Sequence, residues 1–121
     1  MILVAIWSNL SSEAFGSPLN NCKKAIEILE NKFKLLRVSN FYETEPIPKS
    51  EQPMYINGVI SLRTKNLPNE ILDILMSVEI EFQRVRKFKN ESRVIDLDLL
   101  CYNNLILNTK NLILPHPRMH L

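Results

Sequence analysis

Two aspartates inside an otherwise apolar stretch, Ile95-Asp96-Leu97-Asp98-Leu99-Leu100, are the side chains best placed for chemistry in this sequence. Aspartate disfavours strands, so its occurrence twice within one needs a reason. Strand alternation puts both carboxylates on one face, about 7 Å apart along the chain. Like charges at that distance repel, and they are stable together when solvated, paired with basic groups, or coordinating a hard divalent cation. A magnesium pair bridged by phosphates fits; a water-facing strand is the plain alternative.

Arg84, Arg86, Lys87, Lys89 and Arg93 crowd the stretch that leads into this strand, against a single acidic Glu91. Arginine is the side chain suited to bidentate phosphate recognition, so three arginines beside two carboxylates able to ligate magnesium make a polyphosphate site chemically coherent. Taken alone, the cluster also reads as a solvated loop after a helix, with Glu79 as a pairing partner for Arg84. A third group is Thr44-Glu45-Pro46-Ile47-Pro48 followed by Gln52-Pro53-Met54-Tyr55-Ile56-Asn57. Prolines stiffen the loop and expose carbonyls, Asn57 both donates and accepts, and Tyr55 offers a flat ring. These parts suit a planar nitrogen-rich heterocycle, and equally an ordinary loop with a satisfied asparagine. In Leu114-Pro115-His116-Pro117-Arg118-Met119-His120 the prolines hold His116 in an extended segment, so His116 and His120 are no helical metal pair. Beside a phosphate His116 would donate a hydrogen bond; otherwise it is a surface residue.

The elements that position these groups follow from periodicity. Ile2 to Ile6 is an apolar run of strand length, ended by Ser8 and Asn9. Ser17 and Pro18 open a helix whose Leu19, Cys22, Ile26, Leu29 and Phe33 recur at helical spacing, predicting a helix to about Phe33. Leu35 to Thr44 reads as a strand, and the proline loop joins it to a two-faced strand from Tyr55 to Thr64. Pro68 starts a second helix with Ile71, Leu75, Val78 and Phe82 buried. Val94 to Tyr102 is a strand, Asn103 and Asn104 a turn, and Leu105 to Leu107 begins a return strand. This order predicts an α+β, ferredoxin-like split βαβ sandwich with an added hairpin strand, both helices on one face of an antiparallel sheet.

Composition narrows the function classes. With 121 residues, 45% of them hydrophobic, the chain can build one core as a single domain, residues 1–121. Gly16 and Gly58 are its only glycines, which excludes a Walker A loop and a dinucleotide fingerprint. Cys22 and Cys101 are too few for a multi-cysteine zinc site and read as reduced core residues of a cytoplasmic protein. No apolar run is long enough to cross a membrane. A net charge of +2 argues against a general nucleic-acid binder, and the aromatic pattern of an RNA-binding sheet is missing.

With these residues in view, the sequence resembles the 6-hydroxymethyl-7,8-dihydropterin pyrophosphokinases of folate biosynthesis along its whole length. The resemblance rests on Ser8-Asn9-Leu10, Phe41-Tyr42-Glu43-Thr44-Glu45-Pro46, Gln52-Pro53-x-Tyr55-x-Asn57, Arg84-Val85-Arg86, Arg93-x-Ile95-Asp96-Leu97-Asp98-Leu99-Leu100 and Pro115-His116-Pro117-Arg118-Met119. It implies a transferase that moves the terminal diphosphate of ATP to the pterin's hydroxymethyl oxygen and releases AMP, using two magnesium ions. By that resemblance Asp96 and Asp98 are metal ligands and Arg84 and Arg93 act on the phosphates during transfer. Arg86, His116, Glu79 and Leu99 fall on the ATP side, and Thr44, Pro46, Ile47, Tyr55 and Asn57 on the pterin side. The implied partners are ATP and the pterin, with no nucleic acid and no membrane.

The chain departs from the family in several places. Trp7 stands where the family's first strand ends in glycine before Ser-Asn. The segment between Arg84 and Arg93 is one residue short and lacks the tryptophan often found there, and Met76 replaces a common glutamine. Relatives continue beyond the position of Leu121, so the expectation is a C-terminally incomplete domain. The alternative functions are then a weakly active or non-catalytic remnant that binds nucleotide or a partner, or a fold completed by a second chain.

Overall fold

The computed structural model describes residues 1–12, 14–45, 54–83 and 94–117. Its elements run β1 Ile2–Ser8, α1 Pro18–Glu30, β2 Lys34–Val38, β3 Tyr42–Thr44, β4 Tyr55–Arg63, α2 Pro68–Gln83, β5 Asp96–Tyr102, β6 Leu107–Asn108 and β7 Ile113–Leu114. The main sheet has the order β2-β4-β1-β5, with every pairing antiparallel and β3 also on β4. This is the expected ferredoxin-like plan, in which the first and third strands of the split βαβ unit lie side by side.

Each helix forms for reasons visible in its sequence. Ser17 is extended and its hydroxyl accepts from the Asn20 N–H at 3.2 Å, while Pro18 occupies the first turn, where its missing N–H has no cost. Cys22, Ala25 and Leu29 then face inward. The helix ends at Glu30, three residues before the sequence expectation, because the chain must turn into β2 at Lys34. Phe33 still reaches the core at 5% exposure. On α2, Ile71, Leu75, Val78 and Phe82 form the buried stripe, each at most 1% exposed. Both helices pack on the face that carries Val4 and Ile6 of β1, Ile60 and Leu62 of β4, and Leu97 and Leu99 of β5.

Among the strands, three expectations are corrected. The strand read as continuous from Leu35 to Thr44 is two, β2 and β3, joined by Ser39 to Phe41. Ser39 keeps the pairing through Val59, and the Phe41 ring packs so closely over Gly58 that a Cβ there would lie 3.0 Å from it. Gly58 is thus needed for close approach. The strand expected from Val94 begins at Asp96, because β1 ends opposite: Trp7 pairs with Asp96, and Ser8 has no residue of β5 beside it. Finally, after the turn at Asn103, whose φ is 53°, the chain does not return along β5. Leu107 and Asn108 pair with β7 as a separate hairpin, and the His116 N–H donates to the Leu100 carbonyl at 2.8 Å, tying this segment to β5. Among the described residues no helix is long and apolar enough to cross a membrane.

Candidate active site

Alternation leaves the face of the sheet opposite the helices for side chains the core does not use. Register aligns Tyr42 of β3, Asn57 of β4, Trp7 of β1 and Asp96 of β5 in one row across four strands. Directly opposed residues point to the same face, so these four side chains share it. Thr44 and Tyr55 form the neighbouring pair on one side of this row, and Val59, Ala5 and Asp98 the next row on the other. Asp96 and Asp98 therefore lie on the same side, as the sequence predicts, with Leu97 between them buried under the helices at 4% exposure.

Two groups flank Trp7 on this face. At β4, the Asn57 side-chain amide donates to Thr44 Oγ1 at 2.7 Å, and the Tyr55 ring meets Trp7 edge to face, 6.1 Å between centroids at 89°. At β5, His116 Nε2 lies 3.9 Å from Asp98 Oδ1. A cavity of about 290 Å³ opens along the edge of β5, lined by Asp98, Leu99, His116 and Lys110 among others. Three of the residues assigned by resemblance to metal or ATP thus meet at one opening. Glu79, also on the expected ATP side, is buried on α2, where its carboxylate accepts from the Leu97 N–H at 2.8 Å. It thereby fixes β5 midway between the two aspartates.

Behind the row runs a polar network that sequence reading did not find. Asn21 is fully buried on α1; its carbonyl oxygen accepts from the Ser12 hydroxyl at 2.7 Å, and its amide donates to the Leu10 carbonyl at 2.9 Å. Ser8 then donates to the Val94 carbonyl, two residues before Asp96. Satisfied polar groups at such burial hold their neighbours in one arrangement. The network ties the loop after β1 to the start of β5. The only signal for it in sequence is an asparagine on the apolar stripe of α1. Lys110 was missed as well, since nothing local marks it. The expected site residues Arg84, Arg86, Arg93, Pro46 and Ile47 lie outside the described residues.

Asp96 and Asp98 fit a magnesium site. Among the described residues no cluster of three or more His, Cys, Asp or Glu side chains forms a protein cage. Two carboxylates on a partly exposed face, leaving the other positions to phosphate oxygens and water, are the donor set magnesium takes beside a nucleotide.

A sequence profile of the 7,8-dihydro-6-hydroxymethylpterin-pyrophosphokinase family matches residues 3–121. The chain belongs to this family. It is 37% identical over 117 residues to the 2-amino-4-hydroxy-6-hydroxymethyldihydropteridine pyrophosphokinase of Haemophilus influenzae, covering 97% of this chain and 71% of the relative. The enzymes of the same name from Pseudomonas aeruginosa and Bacillus subtilis are 32% and 30% identical, covering 98% and 93% of this chain and 71% of each relative. Within the pyrophosphokinase family, then, this member carries its acidic pair and its Asn57–Thr44 pair on one sheet face, with Trp7 between them.

Proposed function

We propose that this chain transfers diphosphate from ATP to the hydroxymethyl oxygen of 6-hydroxymethyl-7,8-dihydropterin. The observation that carries the reading is the row itself, which sets groups suited to a nitrogen-rich ring and groups suited to a metal-bound polyphosphate on the same face with the single strand β1 between them. The hydroxymethyl oxygen attacks the β-phosphorus of ATP and releases its proton to solvent; the bond from that phosphorus to the oxygen shared with the α-phosphate breaks, and AMP leaves carrying that oxygen. Little covalent chemistry is asked of the protein, so alignment and charge stabilisation supply the rate.

Thr44, Tyr55 and Asn57, with Pro46 and Ile47 of the adjoining loop, hold the pterin. Asp96 and Asp98 would hold two magnesium ions, which when bound screen the phosphate charge and polarise the phosphorus under attack. His116 and Leu99 line the opening at β5 and take part of the nucleotide, Arg86 also contacts ATP, and Glu79 supports that side through the β5 backbone. Arg84 and Arg93 stabilise charge as it moves toward the leaving AMP. A cytoplasmic setting suits the two cysteines, both buried and free.

The test is AMP release from ATP by the purified chain, with and without the hydroxymethyl pterin. The expected result is AMP formed in step with pterin diphosphate and only when pterin and magnesium are both present. AMP release that ignores the pterin would overturn the reading.

A further inference from the structure

We infer that Trp7 is a substrate-contact residue that sets which pterins this chain accepts, an inference that rests on the pterin and metal ends of the row being as proposed. Trp7 is the direct partner of Asn57 on one side and of Asp96 on the other. Neighbouring strands are about 4.8 Å apart, so Asn57 and Asp96 are roughly 10 Å apart across β1. A heterocycle anchored at Asn57 and Tyr55 must send its hydroxymethyl arm over β1 to reach a phosphate held at Asp96 and Asp98. The residue it crosses is Trp7.

The neighbours of the indole leave it that role. Ala5, the next residue of β1 on this face, offers only a methyl group, so no other large β1 side chain stands between the two ends. Trp7 itself is only partly buried. Its ring stands at 89° to that of Tyr55, and two rings at a right angle make an apolar corner. A flat fused heterocycle fits such a corner, with one ring against its face and the other against its edge. The indole also fills the floor beneath the arm, which excludes water from the attacking oxygen and leaves no room for a bulky substituent on the arm carbon.

Trp7 is the only tryptophan of the chain, so its indole N–H gives a single resonance that reports this position alone. Pterin absorbs where indole emits, so fluorescence quenching would occur even at a distance; proton NMR with calorimetry avoids this. The probe is 6-hydroxymethylpterin with magnesium and a non-hydrolysable ATP analogue. The expected result is a ring-current shift of the indole signal that saturates with the calorimetric binding curve, and nuclear Overhauser contacts from indole to pterin protons. Trp7→Ala should weaken pterin binding about tenfold while changing binding of the ATP analogue less than twofold, and Trp7→Phe should recover most of the loss. Trp7→Ala should also accept a pterin bearing a methyl group on the arm carbon, which the parent chain rejects. Calorimetric pterin binding with an unmoved indole signal would overturn the contact and leave the proposed function standing, even if Trp7→Ala failed to fold. No pterin binding at all would overturn both.

Discussion

The two faces of one sheet do different work with alternate residues of the same strands. On the helix side, Val4, Ile6, Ile60, Leu97 and Leu99 are at most 4% exposed and packed against α1 and α2. On the other side, Trp7, Asn57, Asp96 and Asp98 are only partly buried and carry the groups that could bind. Because side chains alternate along a strand, a single register sets both: the pairing that buries Leu97 is the pairing that puts Asp96 beside Trp7. Stability and chemistry are therefore separable by substitution, although no element belongs to one alone.

The largest effect should come from the covered face. Phe82→Ala, which empties a fully buried ring position on α2, should cost about 3–5 kcal/mol of stability, read as a fall in the denaturant midpoint. A change near zero would mean that α2 does not seal the core. Smaller, and between the two faces, is the network behind the row. Asn21→Ala leaves the Ser12 hydroxyl and the Leu10 carbonyl without their partner and should cost about 1–3 kcal/mol. Since the same network reaches Val94, it should also lower turnover at saturating substrates; full turnover in a destabilised variant would detach the network from the site.

The effect that is smallest near neutral pH lies on the alkaline limb of stability. Burial pushes the Cys22 thiol up to about 12 in the folded chain. The unfolded chain releases this proton near the ordinary thiol value, so stability is fully present below that and is lost as pH rises toward the folded value. Cys22→Ala should flatten the alkaline end of the stability profile, measured by thermal melts between about pH 8 and 11. An unchanged slope would assign the alkaline loss to other groups.

What was legible in the sequence was whatever depends on local periodicity. The two helices, the two-faced β4 and the shared side of Asp96 and Asp98 follow from spacing alone, and the motifs name the family. What was not legible depends on partners far along the chain. Nothing within Leu35 to Thr44 says that Phe41 must cover Gly58 and so divide the strand. Nothing within Leu105 to Leu107 says that its partner is β7 instead of β5. Trp7 looked like a departure at the end of a strand, and only the register with β4 and β5 puts it midway between the Asn57–Thr44 pair and the carboxylates.

The most direct test of the division between faces is Asp96→Asn combined with Asp98→Asn, assayed for magnesium-dependent ATP binding by calorimetry and for stability by denaturant unfolding. Binding should weaken at least a hundredfold in magnesium, while the unfolding free energy changes by less than about 1 kcal/mol, as for partly exposed groups away from a core. Undiminished magnesium-dependent ATP binding in the double variant would reduce the two aspartates to a wet strand face and contradict the assignment of this side of the sheet to chemistry.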